Sequence, residues 1–140
     1  MAYFWPNPKP MNLRTGLFSV FFGFCSMSVL AQSEIFNALK ESIKANNAKE
    51  MVKHFNLSVV INIEGDINNY SKAQAEFVLR DFFKKHVATD FNVLHTGSSP
   101  NGLKYAIGKY QSGSDSYNVL IRVKESDKQF LVHEISFIKE

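Results

Sequence analysis

The chain has 140 residues, a length that fits one small domain, and its apolar and charged fractions are those of an ordinary globular protein. Its net charge of +3 is concentrated at the start: Lys9 and Arg14 precede the first acidic residue, Glu34. The remainder is almost neutral, which excludes the broad positive field that a nucleic-acid or anionic-membrane binder needs.

Residues 1–10 hold three of the four prolines and the only tryptophan, Trp5. Prolines at alternate positions forbid a helix. We read these residues as an over-long start, with Met11 as the initiator. From Met11 a short segment with one positive charge, Arg14, leads into an apolar run, Leu17 to Leu30, that ends in Val29-Leu30-Ala31. This is the layout of a secretory signal peptide, and cleavage is expected after Ala31. The run is too short for a membrane-spanning helix, which needs roughly 20 residues, so no stable membrane insertion is expected after cleavage. The single cysteine, Cys25, lies within this run. It lacks the leucine-then-small pattern of a lipid-modified cysteine and reads as a small apolar residue. A thiol-free mature chain, 32–140, suits an oxidising compartment such as a Gram-negative periplasm, or secretion.

Ser33 is placed to cap a first helix whose stripe is Ile35, Phe36, Leu39 and Ile43. Asn47 and Glu50 start a second, short helix that ends near Phe55-Asn56. Leu57 to Glu64 reads as a strand; Gly65-Asp66 ends it, with Asp66 a turn residue in a polar stretch to Asn69. The clearest element follows. Ser71 and Gln74 form a capping box, Tyr70 sits where a hydrophobic staple would, and Ala75, Val78, Leu79, Phe82 and His86 make a core-facing helical stripe. Glu76, Arg80 and Lys84 make a solvated ladder on another face, and Lys84, Lys85 and His86 place positive charge at the helix end.

The period then changes to two. Phe91 to Thr96, Leu103 to Gln111, Ser116 to Lys124 and Gln129 to Ile138 read as four strands of an antiparallel meander, joined by the clusters Gly97–Gly102, Ser112–Asp115 and Glu125–Lys128. The expected order is α-α-β-α-β-β-β-β. This is an α+β domain in which a curved antiparallel sheet packs on the long helix and leaves a cavity at its open end.

Two stretches carry a resemblance. Tyr70-Ser71-Lys72-Ala73-Gln74-Ala75-Glu76 with Asp81-Phe82-Phe83, and His95-Thr96-Gly97-Ser98-Ser99-Pro100-Asn101-Gly102 with Tyr105-Ala106-Ile107-Gly108, are similar to motifs of a family of exported Bacteroidetes proteins of unknown function, numbered 4783. The resemblance spans the mature chain. It implies an α+β cone of the nuclear-transport-factor-two-like (cystatin-like) kind, and it implies no activity. Folds of this kind host isomerases, dehydratases, binding modules and non-catalytic partners, so fold does not settle function.

No coherent catalytic set stands out. The four histidines, His54, His86, His95 and His133, show no ligand spacing, so neither a metal nor a cofactor is expected. His86 reads as a cation at a helix end and His54 as a surface residue. His133 shares strand parity with Leu131, Ile135 and Phe137 and would enter the cavity if that face is concave; Glu134 would take the opposite face. Glu64, Asp66 and Glu134 are the carboxylates that could serve an isomerase, with Tyr105, Tyr117 or His133 as donors. No protease-inhibiting hairpin of the cystatin type is present. The candidate ligand-binding residues are therefore His133, Tyr105, Tyr117 and His95, with Ser99 and Asn101 in the loop. The expected function is an exported, non-catalytic binding or interaction module. Its partner would be a small apolar ligand, another protein, or a second copy through the sheet; the alternative is a small isomerase or dehydratase.

Overall fold

The computed structural model describes residues 34–140; the readings of the start, the signal peptide, its cleavage site and the Ser33 cap fall on residues 1–33 and lie outside the described residues. A first helix, α1, runs through residues 34–44 and a short α2 spans Ala48–Val52. Asn47 caps α2 by accepting the Glu50 N–H at 3.1 Å. Six strands follow, interrupted by the long helix: β1 Phe55–Ile63, β2 Asp66–Ser71, α3 Lys72–Lys85, β3 Asp90–Ser98, β4 Leu103–Ser112, β5 Asp115–Ser126 and β6 Gln129–Lys139. They form one curved, open sheet of order β2-β1-β6-β5-β4-β3. The meander β3–β6 is antiparallel, and β1 joins β6 in parallel.

The expected α+β class holds, with one strand more than the sequence indicated. The polar stretch after Gly65 is the edge strand β2, and Asp66 is its first residue, opposite Ile63, instead of a turn residue. Glu64 and Gly65 both have positive φ, 54° and 92°, and make the two-residue turn that the twist of a hairpin favours. The Asn62 side chain accepts the Gly65 N–H at 2.9 Å and steadies it. Asp and Asn are disfavoured in strands, yet here backbone pairing to β1 supplies the stability and the edge tolerates polar side chains. β1 also begins earlier than expected, at Phe55, because Phe55 pairs with Val132.

The capping box of α3 is formed as expected: Ser71 Oγ accepts the Gln74 N–H at 3.2 Å, and Gln74 Oε1 accepts the Ser71 N–H at 2.9 Å. The helix buries Ala75, Leu79, Phe82 and Phe83. These meet the inner-face residues of the sheet, among them Val59, Ile61, Phe91, Tyr110, Tyr117, Val119, Ile121, Ile135 and Phe137, together with Leu39 and Ile43 of α1 and Met51 of α2. Each large apolar side chain so buried contributes about 1.5–3 kcal/mol. Helices and core thus lie on the inner face of the sheet, and the outer face carries the ion pairs Arg122–Glu134 and Lys109–Glu140.

Candidate functional site

Two recesses lie on opposite faces of the sheet. The first is a cleft of about 390 Å³ at the mouth of the cone, between α3 and the β1–β2 hairpin. Val78, Asp81, Phe82, Lys85 and His86 recur at helical spacing and give one wall; Ile61 and Ile63 of β1 with Asp66 and Tyr70 of β2 give the other. On the sheet, Asp66 stands opposite Ile63 and Tyr70 opposite Val59, which puts them on the inner side of the hairpin.

Behind the cleft the cone is filled by aromatic rings. The Phe82 ring lies 4.5 Å from Phe137, 5.6 Å from both Tyr110 and Tyr117, and 5.1 Å from the His86 imidazole, centroid to centroid. Tyr110 and Tyr117 are wholly buried, and each hydroxyl finds a partner on His86. Tyr110 Oη donates to the His86 carbonyl, which closes the end of α3, and Tyr117 Oη meets His86 Nδ1 at 3.0 Å. Burial pushes both phenols above their ordinary range, and the nearby Glu64 adds to the effect at Tyr117. The phenol of Tyr117 therefore keeps its proton and can donate it to His86 Nδ1. His86 is thus a half-buried cap with its ring held by Tyr117, in keeping with its place in the core-facing stripe of the helix.

The polar groups around the cleft are largely held by one another. Asp66 accepts the Asn68 amide at 2.9 Å, and Asp81 pairs with Lys85 at 3.0 Å. Both carboxylates are exposed. An isomerase base needs a carboxylate desolvated beside an oxyanion donor; neither carboxylate at this cleft has that setting.

The second recess is a groove of about 460 Å³ on the outer face, lined by Ser99, Leu103, Tyr105, Ile107, Leu120 and Arg122. It gathers part of the set expected from the sequence. Tyr105 pairs with Gly97 across β3–β4, and its hydroxyl lies 3.5 Å from His95 Nε2. Ser99 is half-buried in the groove, while Asn101 is exposed in the adjoining turn. Tyr117 is not with them. It points into the core, opposite Tyr110 of β4, so Tyr105 and Tyr117 lie on opposite faces of the sheet.

His133 also departs from its expected place. The β5–β6 register shifts between Arg122, which faces Glu134, and Val123, which faces Val132, so His133 is the extra residue of a β-bulge. The bulge breaks the alternation. Val132, Ile135 and Phe137 are the inner residues, and His133 lies beside Glu134, near Lys124 of the outer face, instead of sharing a face with Ile135 and Phe137. Its Nε2 is buried without a hydrogen-bond partner. His54, expected on the surface, is half-buried between α1 and the end of α2, with Glu34, Ala38 and Lys53 beside it. Among the described residues no group of three or more His, Cys, Asp or Glu is placed to hold a metal ion, and no helix is long and apolar enough to cross a membrane.

Both histidines have pKa values below the ordinary 6.5. Burial is the main cause in each, with Lys124 adding to it at His133; at His54 Glu50 opposes the shift, and Lys72 and Lys53 add to it. The unfolded chain then binds more protons than the folded one below about 6.5. Stability from these groups is full above that pH and is lost as pH falls through their folded pKa values. Urea unfolding is expected to show a lower midpoint at pH 5.5 than at 7.5, and His133→Gln should reduce that difference. An equal difference in the variant would remove His133 from the explanation.

Comparison with known proteins agrees with this fold. No curated protein matches the chain. A protein of Bacteroides ovatus ATCC 8483 is 24% identical, with TM-score 0.70, over 74% of this chain and 93% of its own; one of Bacteroides uniformis ATCC 8492 is 22% identical, with TM-score 0.70, over 74% and 95%. Both crystal structures are of DUF4783 family proteins. An NTF2-like protein of unknown function from Shewanella baltica OS155 is 10% identical, with TM-score 0.63, over 82% of this chain and 95% of its own, and shows the same fold. The family model described as a domain of unknown function, DUF4783, matches residues 36–137, and the chain belongs to that family.

Proposed function

We propose that this protein is an exported, non-catalytic binding module that takes a small molecule in the cleft at the mouth of the cone. The observation that carries this reading is the composition of the cleft. An apolar floor of Ile61, Ile63, Val78 and Phe82 is bordered by a few convergent polar groups on rigid elements, Asp66, Tyr70, Asp81, Lys85 and His86. That is the usual make-up of a small-ligand site. With Asp81 paired to Lys85, the carboxylate of Asp66 beside the rings of Tyr70, Phe82 and His86 favours a ligand that has an apolar body and a hydrogen-donating, cationic end. Export is supported by the signal-like segment at 11–31 and by the absence of cysteine after it. Turnover is disfavoured by the way the cleft's polar groups are occupied, Asp66 with Asn68, Asp81 with Lys85 and His86 with Tyr117.

Thermal unfolding with matched probes tests this. Phenethylamine-type amines and phenylacetate-type acids of equal size are compared on the wild type and on Val78→Trp, which fills the cleft from the helix side. A ligand at ten times its Kd stabilises by about 1.4 kcal/mol, several degrees in Tm for a domain of this size. Amines are expected to raise the wild-type Tm and to leave the variant unchanged. Equal shifts in both proteins would remove the ligand from the cleft, and shifts by acids alone would contradict the proposed charge preference.

A further inference from the structure

We propose that Asn101 is a site of spontaneous modification: the Asn101-Gly102 pair at the tip of the β3–β4 turn closes to a succinimide ring and opens to aspartate and isoaspartate. The proposal is independent of the cleft, to which this turn contributes no residue.

The chemistry needs an accessible asparagine amide and a following main-chain nitrogen that can reach it. Asn101 is the only asparagine of the chain that precedes a glycine. A side chain on the next residue crowds its nitrogen and stiffens its backbone, and glycine does neither. Asn62, Asn92 and Asn118 instead precede the β-branched Ile63, Val93 and Val119 inside paired strands. Hydrogen bonds set Asn101 apart as well. The side-chain amide of Asn46 bonds to Ala88, that of Asn47 to the Glu50 N–H, that of Asn62 to the Gly65 N–H, that of Asn68 to Asp66 and that of Asn92 to Asp90. The amide of Asn101 is exposed and has no such partner among the described residues.

The turn leaves room for the attack. Ser99 N–H donates to the Leu103 carbonyl at 2.8 Å and closes the loop below its tip; the tip itself is tied by the longer bond from Gly102 N–H to the Ser99 carbonyl, 3.2 Å. An exposed bond of that kind opens locally at little cost. Gly102 has φ 73°, and a Cβ on it would meet nothing within 4 Å, so no neighbour confines its backbone. Lys104 follows two residues on, and Lys124 stands opposite Leu103 with no ion-pair partner among the described residues; their positive charge favours the anionic nitrogen that attacks. The Gly102 nitrogen gives its proton to solvent and bonds to Asn101 Cγ. The Cγ–Nδ2 bond breaks, and the nitrogen leaves as ammonia with a proton regained from solvent. Water then adds to one of the two ring carbonyls. Breaking the ring at Cγ yields aspartate; breaking it at the main-chain carbonyl of residue 101 yields isoaspartate, with the chain routed through the side chain. Either product places a carboxylate where a neutral amide stood.

Incubation of the folded protein at mildly alkaline pH, followed by ion-exchange chromatography and peptide mass spectrometry, tests this. The wild type is expected to accumulate a form with one more negative charge, the change lying at residue 101, with isoaspartate detected there by enzymatic methylation. Asn101→Gln keeps an exposed amide but needs a larger ring, so its conversion should be slower by on the order of tenfold or more. Gly102→Ala crowds the attacking nitrogen and should slow the reaction roughly tenfold as well. Alanine is strained at the positive φ of this position, so if that variant loses the wild-type circular dichroism, Asn101→Gln decides. A folded wild type that yields no acidic form at residue 101 overturns the proposal. An acidic form that arises as fast in Asn101→Gln overturns it too, and aspartate without isoaspartate would mean direct hydrolysis of the amide and overturn the ring.

Discussion

Replacing Phe82 by alanine is expected to lower the unfolding free energy by about 3–5 kcal/mol, the cost of truncating a buried phenylalanine when the space cannot collapse. Phe82 sits at the centre of the ring cluster, within 6.1 Å centroid to centroid of Phe83, His86, Tyr110, Tyr117 and Phe137. Those neighbours come from α3 and three strands, so they cannot close on the cavity together. Tyr110 and Tyr117 are also tied by their hydroxyls to His86, which resists their inward movement. Total stability for a domain of this size is about 5–15 kcal/mol, so the variant should lose much of it. Calorimetry should show a Tm lower by roughly 20 °C. A loss of only a few degrees would mean that the cluster repacks and that Phe82 is not its keystone.

Gly108→Val should cost about 3 kcal/mol, for the opposite reason. Gly108 faces the core from β4, opposite Val93 on one side and Val119 on the other. A Cβ there would stand 2.8 Å from the Asn92 carbonyl oxygen and 2.8 Å from the Phe91 ring. The first is backbone held in the β3–β4 ladder and the second is a wholly buried side chain, so neither can give way cheaply. Gly97→Ala is the comparison. It meets only the tip of Tyr105 on the outer face, which can swing into solvent, and it should cost far less. Urea unfolding of the two variants checks the contrast. Equal losses would show that the Gly108 contact is relieved by a movement of β3.

The same contrast between local and non-local information explains what the sequence made legible. α3 was readable because its signals are local: a reciprocal capping box at Ser71 and Gln74, and an apolar stripe at helical spacing. The meander was readable because turn clusters separate runs of alternating residues. β2 was not, because Asp66-Ile67-Asn68-Asn69 has no strand propensity and is held by its pairing with β1. Parallel pairing of β1 with β6 joins the first strand to the last and leaves no local mark.

Two of the six candidate residues, His133 and Tyr117, lie elsewhere than parity indicated, for a similar reason. A strand argument assigns faces by parity, and one extra residue at His133 reverses the assignment for the residues before it. Tyr105 and Tyr117 were both named as liners, although neighbouring antiparallel strands place them on opposite faces. The cleft itself draws on β1, β2 and both turns at the C-terminal end of α3. Its two local hints were the spacing Val78, Phe82, His86, which puts an imidazole on the core-facing stripe, and Tyr70, whose place before the cap sets it against the helix.

Binding at the mouth of the cone is tested most directly by backbone amide chemical-shift mapping during titration with phenethylamine. The expected result is a saturable set of shifts at Ile61, Asp66, Tyr70, Val78, Phe82 and His86, absent in Val78→Trp. Shifts confined to Leu103, Tyr105, Ile107 and Leu120, or the same shifts in the filled variant, would contradict it.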